Sequence, residues 1–267
     1  MPKLTVTIIA KDEAPHIAEA LTSVAWADER IVVDSGSTDD TVAIARALAT
    51  RVDVREWPGY GAQKNYAAAL ATHDWILSLD ADERVTPALA AEIQRLLATT
   101  PAAAAYRMPR VTRYLRTWIR CTDWYPDHAL RLYDRTRASW GAQLVHEGLD
   151  VTGSIGALTG ELEHRPYDDV ADHVERINRY TTLAARQMHA QGRRARAWHL
   201  VVHPVAAFLR NYLARGGVQQ GRVGLVVSLV NATYVLLKFA KLYELGLAAD
   251  PQSPIPDPRS SSSNEAP

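Results

Sequence analysis

Over the first hundred or so residues, short β-branched runs alternate with helix-patterned runs, and no other feature restricts the chain more. LTVTII (4–9), RIVVD (30–34), VDVREW (52–57) and DWILSLD (74–80) read as strands. HIAEALTSVAW (16–26), the stretch after SGSTDD, GAQKNYAAALA (61–71) and TPALAAEIQRLLA (86–98) read as helices. Ser37 with Asp40 fits the Ser-x-x-Asp pattern of a helix start, and Thr86 with Pro87 fits a capped helix with proline in its first turn. Strands joined by helices pair in parallel, so the pattern predicts an α/β fold: a mostly parallel sheet with helices on both faces. Ligands of such sheets gather beyond the carboxyl ends of the strands. Lys11, Asp12 and Glu13 after the first strand, with Asp34 and Asp80 ending two others, are therefore expected to converge on one cleft.

The third of these ends is unusually acidic. WILSLDADERV (75–85) sets Asp80, Asp82 and Glu83 directly after a buried apolar run. Carboxylates crowded at a strand end repel one another unless a cation offsets them. If the extended conformation lasts past Asp80, Asp80 and Asp82 face the same side and form a clamp for Mg²⁺ or Mn²⁺, hard ions that commonly hold substrate phosphates. Taken alone, Asp-x-Asp is more often a solvated acidic turn, because such turns are common. Thirty basic and thirty acidic side chains give no net charge, so nucleic acid is not an expected partner. A single cysteine, Cys121, excludes an internal disulfide framework and a cysteine-rich zinc site. His128, His146 and His164 lack the helical spacing of a zinc site. MPKLTVTIIAKDE reads as a first strand rather than a signal peptide, which leads to the expectation of a cytoplasmic protein.

VTIIAKDEAPHIAEALTSV, IVVDSGSTDDT, GYGAQKNYA and DWILSLDADE follow one another in the order and spacing of family 2 glycosyltransferases of the GT-A fold, which the chain resembles. DWYPDHALRLYDR, LVHEGL and ATYVLLKFAKLYE are similar to bacterial enzymes that add a sugar, often glucose, to the lipopolysaccharide inner core. Asp12 stands where many relatives carry asparagine, and Ala10 where threonine is usual. The resemblance implies a UDP-sugar donor, a divalent cation, and a core-oligosaccharide or glycolipid acceptor. It implies that Asp34 contacts the base, that Glu13 lies near the nucleoside, that Asp80 meets ribose or metal and that Asp82 is the metal ligand. Lys64 is expected near the start of a helix, where it and backbone N–H groups suit a diphosphate.

Inverting transfer also needs a carboxylate to take the acceptor proton. Glu147 in LVHEGL is the first choice by its place after the acceptor-side strands, and Asp127 in WYPDH the second. Trp124 and Tyr125 suit sugar stacking or core packing, with Arg131 expected to meet an acid or phosphate on the acceptor. A polyprenyl-phosphate glycosyltransferase and a non-catalytic nucleotide-sugar-binding scaffold at the membrane are the alternative readings.

The expected organisation is a catalytic domain over 1–165, a helical C-terminal region over 166–248 and a disordered proline- and serine-rich tail over 249–267. Residues 223–237 carry no charge, a run shorter than the roughly 20 residues that cross a bilayer. Arg210, Arg215 and Arg222 precede it and Lys238 and Lys241 follow. RTRASW and RRARAW (193–198) add basic residues for an anionic acceptor, for headgroups or simply for solvent. Two helices are expected to lie on or shallowly in the inner face of the cytoplasmic membrane, the alternative being a hairpin packed on protein.

Overall fold

The computed structural model describes residues 2–141 and 148–248. Its contacts divide it into two compact units, Met1–Asp168 and Asp169–Pro267. The first unit begins with β1 (Leu4–Ala10), α1 (Ala14–Ser23), β2 (Glu29–Asp34), α2 (Thr41–Leu48), β3 (Arg51–Val54), α3 (Tyr60–Ala69) and β4 (Trp75–Asp80). β5 (Glu83–Val85) and α4 (Pro87–Leu97) follow, with the Thr86 hydroxyl accepting from the Leu89 N–H at 3.2 Å as the helix cap. Then come β6 (Ala105–Tyr114), β7 (Thr117–Ile119), β8 (Asp127–Asp134), β9 (Ala138–Trp140), β10 (Leu149–Val151), β11 (Ile155–Ala157) and β12 (Leu162–His164).

The main sheet runs β3-β2-β1-β4-β8-β6-β12-β5. β3, β2, β1 and β4 are parallel, with Ala10 opposite Asp34 and Ile9 opposite Asp80. Residues alternate faces, as period-2 strands require. Trp75, Leu77 and Leu79 enter one core with Ile17, Leu21, Leu89 and Ile93, while Ile76 enters a second with Ile31, Val33, Ala67 and Tyr133. The two cores cover both faces of β1, β2 and β4, which read as largely apolar runs, while the edge strand β3 stays partly exposed.

Beyond β4 the sheet turns antiparallel and curls. β4 and β5 are joined by only Ala81 and Asp82, yet β5 lies four places from β4 in the strand order. Three Cα–Cα steps reach at most about 11 Å, whereas four flat strand spacings need about 19 Å. The sheet must therefore bend round until β5 meets the end of β4. That curl, closed by β12 pairing with both β6 and β5, draws side chains of β4, β5, β6 and β8 together.

In the second unit α5 (Val170–Ala190) starts on Asp169, whose carboxylate accepts from the Asp172 N–H at 2.8 Å, and buries His173, Ile177, Thr181 and Ala185 at helical spacing. α6 (His199–Leu209) continues into a π-helical turn, Arg210–Ala214, before α7 (Gly221–Ala248). α7 is one helix of 28 residues, about 42 Å long, so the charge-free run at 223–237 is a part of a longer helix rather than a short element of its own. By length and composition Gly217–Leu247 is long and apolar enough to cross a membrane.

Gly160 sets up β12. A Cβ there would lie 2.5 Å from the Leu89 Cα and 2.7 Å from its nitrogen, backbone atoms that cannot swing aside. Gly160→Ala is expected to destabilise the protein by about 2 kcal/mol, read as a lower urea midpoint with unchanged slope.

Candidate functional site

Parallel pairing brings the carboxyl ends of β1, β2 and β4 to one edge, with Asp34 and Asp80 on either side of β1, about 10 Å apart across two strand spacings. At this edge the β1–α1 and β2–α2 loops clasp each other. Asp12, at φ 54°, accepts through Oδ1 from the Thr38 N–H at 2.8 Å and hydroxyl at 3.1 Å. Its own N–H donates to Ser37 Oγ at 2.7 Å, and the Glu13 N–H donates to Thr41 Oγ1 at 2.7 Å. Aspartate and asparagine tolerate positive φ better than most side chains, which explains why either fits at this position. Ser37, expected to cap α2, does not: the helix begins at Thr41 after Asp40, and Ser37 instead bridges the two loops.

Asp34 is fully buried. Its Oδ1 accepts from the N–H groups of Gly36 at 2.9 Å and Ser37 at 2.8 Å, and its Oδ2 from the Ser37 hydroxyl, so the carboxylate shapes the turn that follows β2. Beside it, Gln63 of α3 donates to Ser35 Oγ at 3.2 Å, and its buried Oε1 has no partner among the described residues. Gln63 lies in the quoted GAQKN stretch, yet nothing in its spacing singles it out.

Lys64 is the fifth residue of α3, too far along to present the helix N-terminus. Its ammonium reaches Asp80 Oδ1 at 3.1 Å and lies 4.6 Å from the centre of the Trp140 ring. Asp80 Oδ2 takes a hydrogen bond from Arg131, which also donates to Glu83 Oε1 at 2.7 Å. Arg110 donates to the same Glu83 oxygen at 2.9 Å and through Nε and Nη2 to Asp127 Oδ2 at 2.8 and 2.6 Å. Arg131, expected to meet an acid or phosphate on the acceptor, is thus buried between two acids of the chain itself, because β8 pairs directly with β4 and the curl of the sheet brings β5 round to meet them. Burial by itself would raise the Asp80 carboxyl, but the charges of Arg131 and Lys64 outweigh it and hold the group well below the usual carboxylate range.

β4 ends at Asp80, and Ala81–Asp82 form a turn, so the extended conformation that would align Asp80 with Asp82 stops one residue early. Asp82 turns instead toward β12, where its Oδ2 lies 3.3 Å from His164 Nε2. Burial raises the Asp82 carboxyl, and the hydrogen bond and charge of His164 more than reverse that shift. Metal bonds of about 2.1 Å at right angles place two ligand atoms about 3 Å apart, so Asp82 and His164 are spaced to share one ion. Asp80, Asp82, Glu83 and Asp127 face Lys64, Arg110 and Arg131, and the buried Arg84, which pairs with Glu19, also donates to the Asp82 carbonyl at 3.2 Å. The described residues contain no group of three metal-ligating side chains; Asp82 and His164 could hold an ion only if its other ligands came from substrate phosphates and water. His164, set aside in the sequence for want of zinc-site spacing, is brought to Asp82 by the pairing of β12 with β5.

Among the acceptor-side residues, Trp124 packs edge-on against Tyr114 at 5.4 Å and lies 5.8 Å from Tyr167. Tyr125 donates to Glu161 Oε1 at 3.1 Å. His128 is exposed. Glu147, and His146 beside it, lie outside the described residues; on either side of that segment the Gly141 N–H donates to the Gly148 carbonyl at 3.0 Å. Asn65 fixes the strand leading there, its amide exchanging two 2.8 Å hydrogen bonds with the Trp140 backbone.

A parallel α/β sheet that curls over an acidic turn at the end of its fourth strand is a GT-A architecture, and the model for glycosyl transferase family 2 matches residues 5–148: the chain belongs to that family. It is 31% identical to the lipopolysaccharide core biosynthesis glycosyltransferase LpsC of Rhizobium meliloti, over 91% of this chain and 94% of that one. An uncharacterized glycosyltransferase of Rickettsia prowazekii is likewise 31% identical, over 92% of this chain and 89% of its own. Among solved structures, glucosyl-3-phosphoglycerate synthase from Mycobacterium tuberculosis is 27% identical over 42% of this chain and 44% of that one, with a TM-score of 0.36.

Removing Arg131 leaves Asp80 and Glu83 without their shared cation. Arg131→Met is expected to cost about 3 kcal/mol at neutral pH, measured by urea unfolding. Asp80 has a depressed pKa in the folded protein, so its contribution is present above its unfolded value near 4 and is lost as pH falls below it. The deficit of the variant should therefore narrow between pH 7 and about pH 3.

Proposed function

We propose that the chain is a metal-dependent, inverting glycosyltransferase that moves a hexose, with glucose from UDP-glucose as the first choice, onto a lipopolysaccharide core saccharide or a similar glycolipid. The observation that carries this reading is the end-to-end likeness to LpsC, which spans the helical unit as well as the sheet. The acidic turn supports it, since its carboxylates lie where a nucleoside diphosphate and its cation would meet the strand ends.

The clasped loops at Asp12 and Glu13 and the turn held by Asp34 form the nucleoside end of the cleft in this reading. Because Asp34 is buried with its oxygens engaged, a contact to the base is assigned to this turn as a whole rather than to a free carboxylate. Asp82 and His164 would hold Mg²⁺ or Mn²⁺, with Asp80 fixed beside them by Lys64 and Arg131. When bound, such an ion supplies positive charge to the departing diphosphate. Lys64, half-shared with Asp80, adds a second positive charge on the same side.

The acceptor hydroxyl must lose its proton as it attacks the anomeric carbon, and in an inverting displacement the base lies on the face opposite the leaving group. Glu147 is assigned this role. Asp127 ranks second because Arg110 engages one of its oxygens through two donors. The protein is placed in the cytoplasm, bound peripherally at the inner face of the membrane where a lipid-borne acceptor is presented.

The test is release of UDP from UDP-sugars by purified protein, with and without Mn²⁺. Asp82→Asn should lose at least about tenfold of metal-dependent turnover, and His164→Ala should raise the Mn²⁺ needed for half-maximal rate by about tenfold. Near-normal activity in both variants would remove them from the metal site. Glu147→Gln should lower kcat by about a hundredfold or more while the donor KM changes by less than about threefold, because a general base acts in the transition state. The reverse ranking, with Asp127→Asn the more damaged, would transfer the role to Asp127.

A further inference from the structure

Helix α6 is inside out. Trp198, Val201, Val202, Val205, Leu209 and Leu213 lie on one face through α6 and its π-helical extension, and each is 47–64% exposed. Ala206 and Ala214 share that face, which is interrupted by the single charge of Arg210. The opposite face, which packs on α7, is where the polar groups are. Asn211 is fully buried, its amide donating to the Ala207 carbonyl at 2.9 Å and its Oδ1 accepting from Asn231 of α7 at 3.1 Å. Ser228 is also buried, donating to the Gly224 carbonyl at 2.7 Å. Gly217, in the turn before α7, lies so close to the end of α6 that a Cβ on it would be 2.8 Å from the Asn211 carbonyl oxygen and 2.8 Å from Ser228 Oγ of α7.

A water-soluble helix puts its apolar stripe inward and its polar stripe outward. The pair α6–α7 does the reverse: it is held by small residues and side-chain amide hydrogen bonds, which are the contacts that join helices where the surroundings are as apolar as leucine. Charge identifies those surroundings further. From Gln191 to Tyr243 the chain has no aspartate or glutamate, but carries Arg193, Arg194, Arg196, Arg210, Arg215, Arg222, Lys238 and Lys241. The whole chain is neutral, so this stretch has been set apart. Arg193, Arg194 and Arg196, all exposed, precede the apolar face, and Arg215 and Arg222, also exposed, follow it. Cations at both ends of an apolar stripe match headgroup phosphates bordering acyl chains, with Arg210 long enough to reach back to them.

We infer that the outward face of α6, from Trp198 to Leu213, beds in the acyl margin of an anionic bilayer, with the flanking arginines on lipid phosphates. This rests on the proposed action at a membrane and adds to it which surface makes the contact. α6 and its extension span only about 24 Å, too short to cross the hydrocarbon core, so the contact runs along the interface.

The test is flotation of the full-length protein with vesicles of equal parts phosphatidylcholine and phosphatidylglycerol, and with phosphatidylcholine alone. The protein should float with the mixed vesicles. Val202→Asp with Val205→Asp should reduce that partition at least about tenfold; both positions are already exposed, so no charge is buried and folding is spared. Arg193→Ala, Arg194→Ala and Arg196→Ala together should lower binding to mixed vesicles toward the level seen on phosphatidylcholine. Unchanged flotation of the valine variant overturns the inference. So does a dimer, seen by light scattering, that the valine variant breaks without loss of flotation, because the face would then be a subunit contact. Vesicle binding is read without any glycosyl transfer, so protein that floats as expected but never releases UDP would refute the catalytic reading and leave this one standing.

Discussion

The catalytic half of the molecule depends on one buried guanidinium. Arg131 joins Asp80, the last residue of a parallel strand, to Glu83, the first residue of a strand on the far side of a curled sheet. Two charged partners taken out of water are costly unless the geometry is tight and further hydrogen bonds are made. Here Lys64 and Arg110 extend the pair into a network, and the Asp80 N–H adds a bond to Glu83 Oε2 at 3.1 Å. The network and the link go together: the two residues Ala81–Asp82 keep the acids within about 11 Å of each other, and the cations offset the repulsion that this closeness creates.

This arrangement separates two acids that look equivalent in sequence. Asp80 is neutralised from both sides and becomes a fixed wall of the cleft. Asp82, on the turn, is left facing an imidazole, a partner that is uncharged when it ligates a metal. Asp80 and Glu83 thus hold the turn in place, while Asp82 pairs across it with β12. The clasp between the loops after β1 and β2 does the same for the other end of the cleft, using Asp12 and Ser37 rather than ionic contacts.

The helical unit follows a different rule. Its interior hydrogen bonds, between Asn211 and Asn231 and from Ser228, lie where apolar contacts would be expected in water, and its valines and leucines face outward. A polar side chain between two helices is favoured when the alternative is exposure to hydrocarbon. The sheet unit buries its apolar residues in two cores, and the helical unit turns many of its own outward. Both patterns satisfy the hydrophobic effect only if the second has an apolar neighbour.

The sequence by itself determined the order and type of the early elements, since hydrophobic periodicity, the Thr86–Pro87 cap and the strand-helix alternation are local signals that tertiary contacts reinforce. It also determined that Asp34 and Asp80 stand at one edge, because parallel connectivity places every strand's carboxyl end on the same side. What the carboxylates do there was decided by tertiary structure. Arg110 and Arg131 reach them from antiparallel strands dozens of residues away, and His164 reaches Asp82 from the strand beside β5; no spacing rule encodes such meetings, because they depend on how far the sheet bends. The same holds for α6. Its apolar residues are legible in sequence as VVHPVAAFL, but which of its faces looks inward is set by the Asn211–Asn231 bond and the close approach of Gly217 to Asn211, contacts that exist only once the two helices are paired.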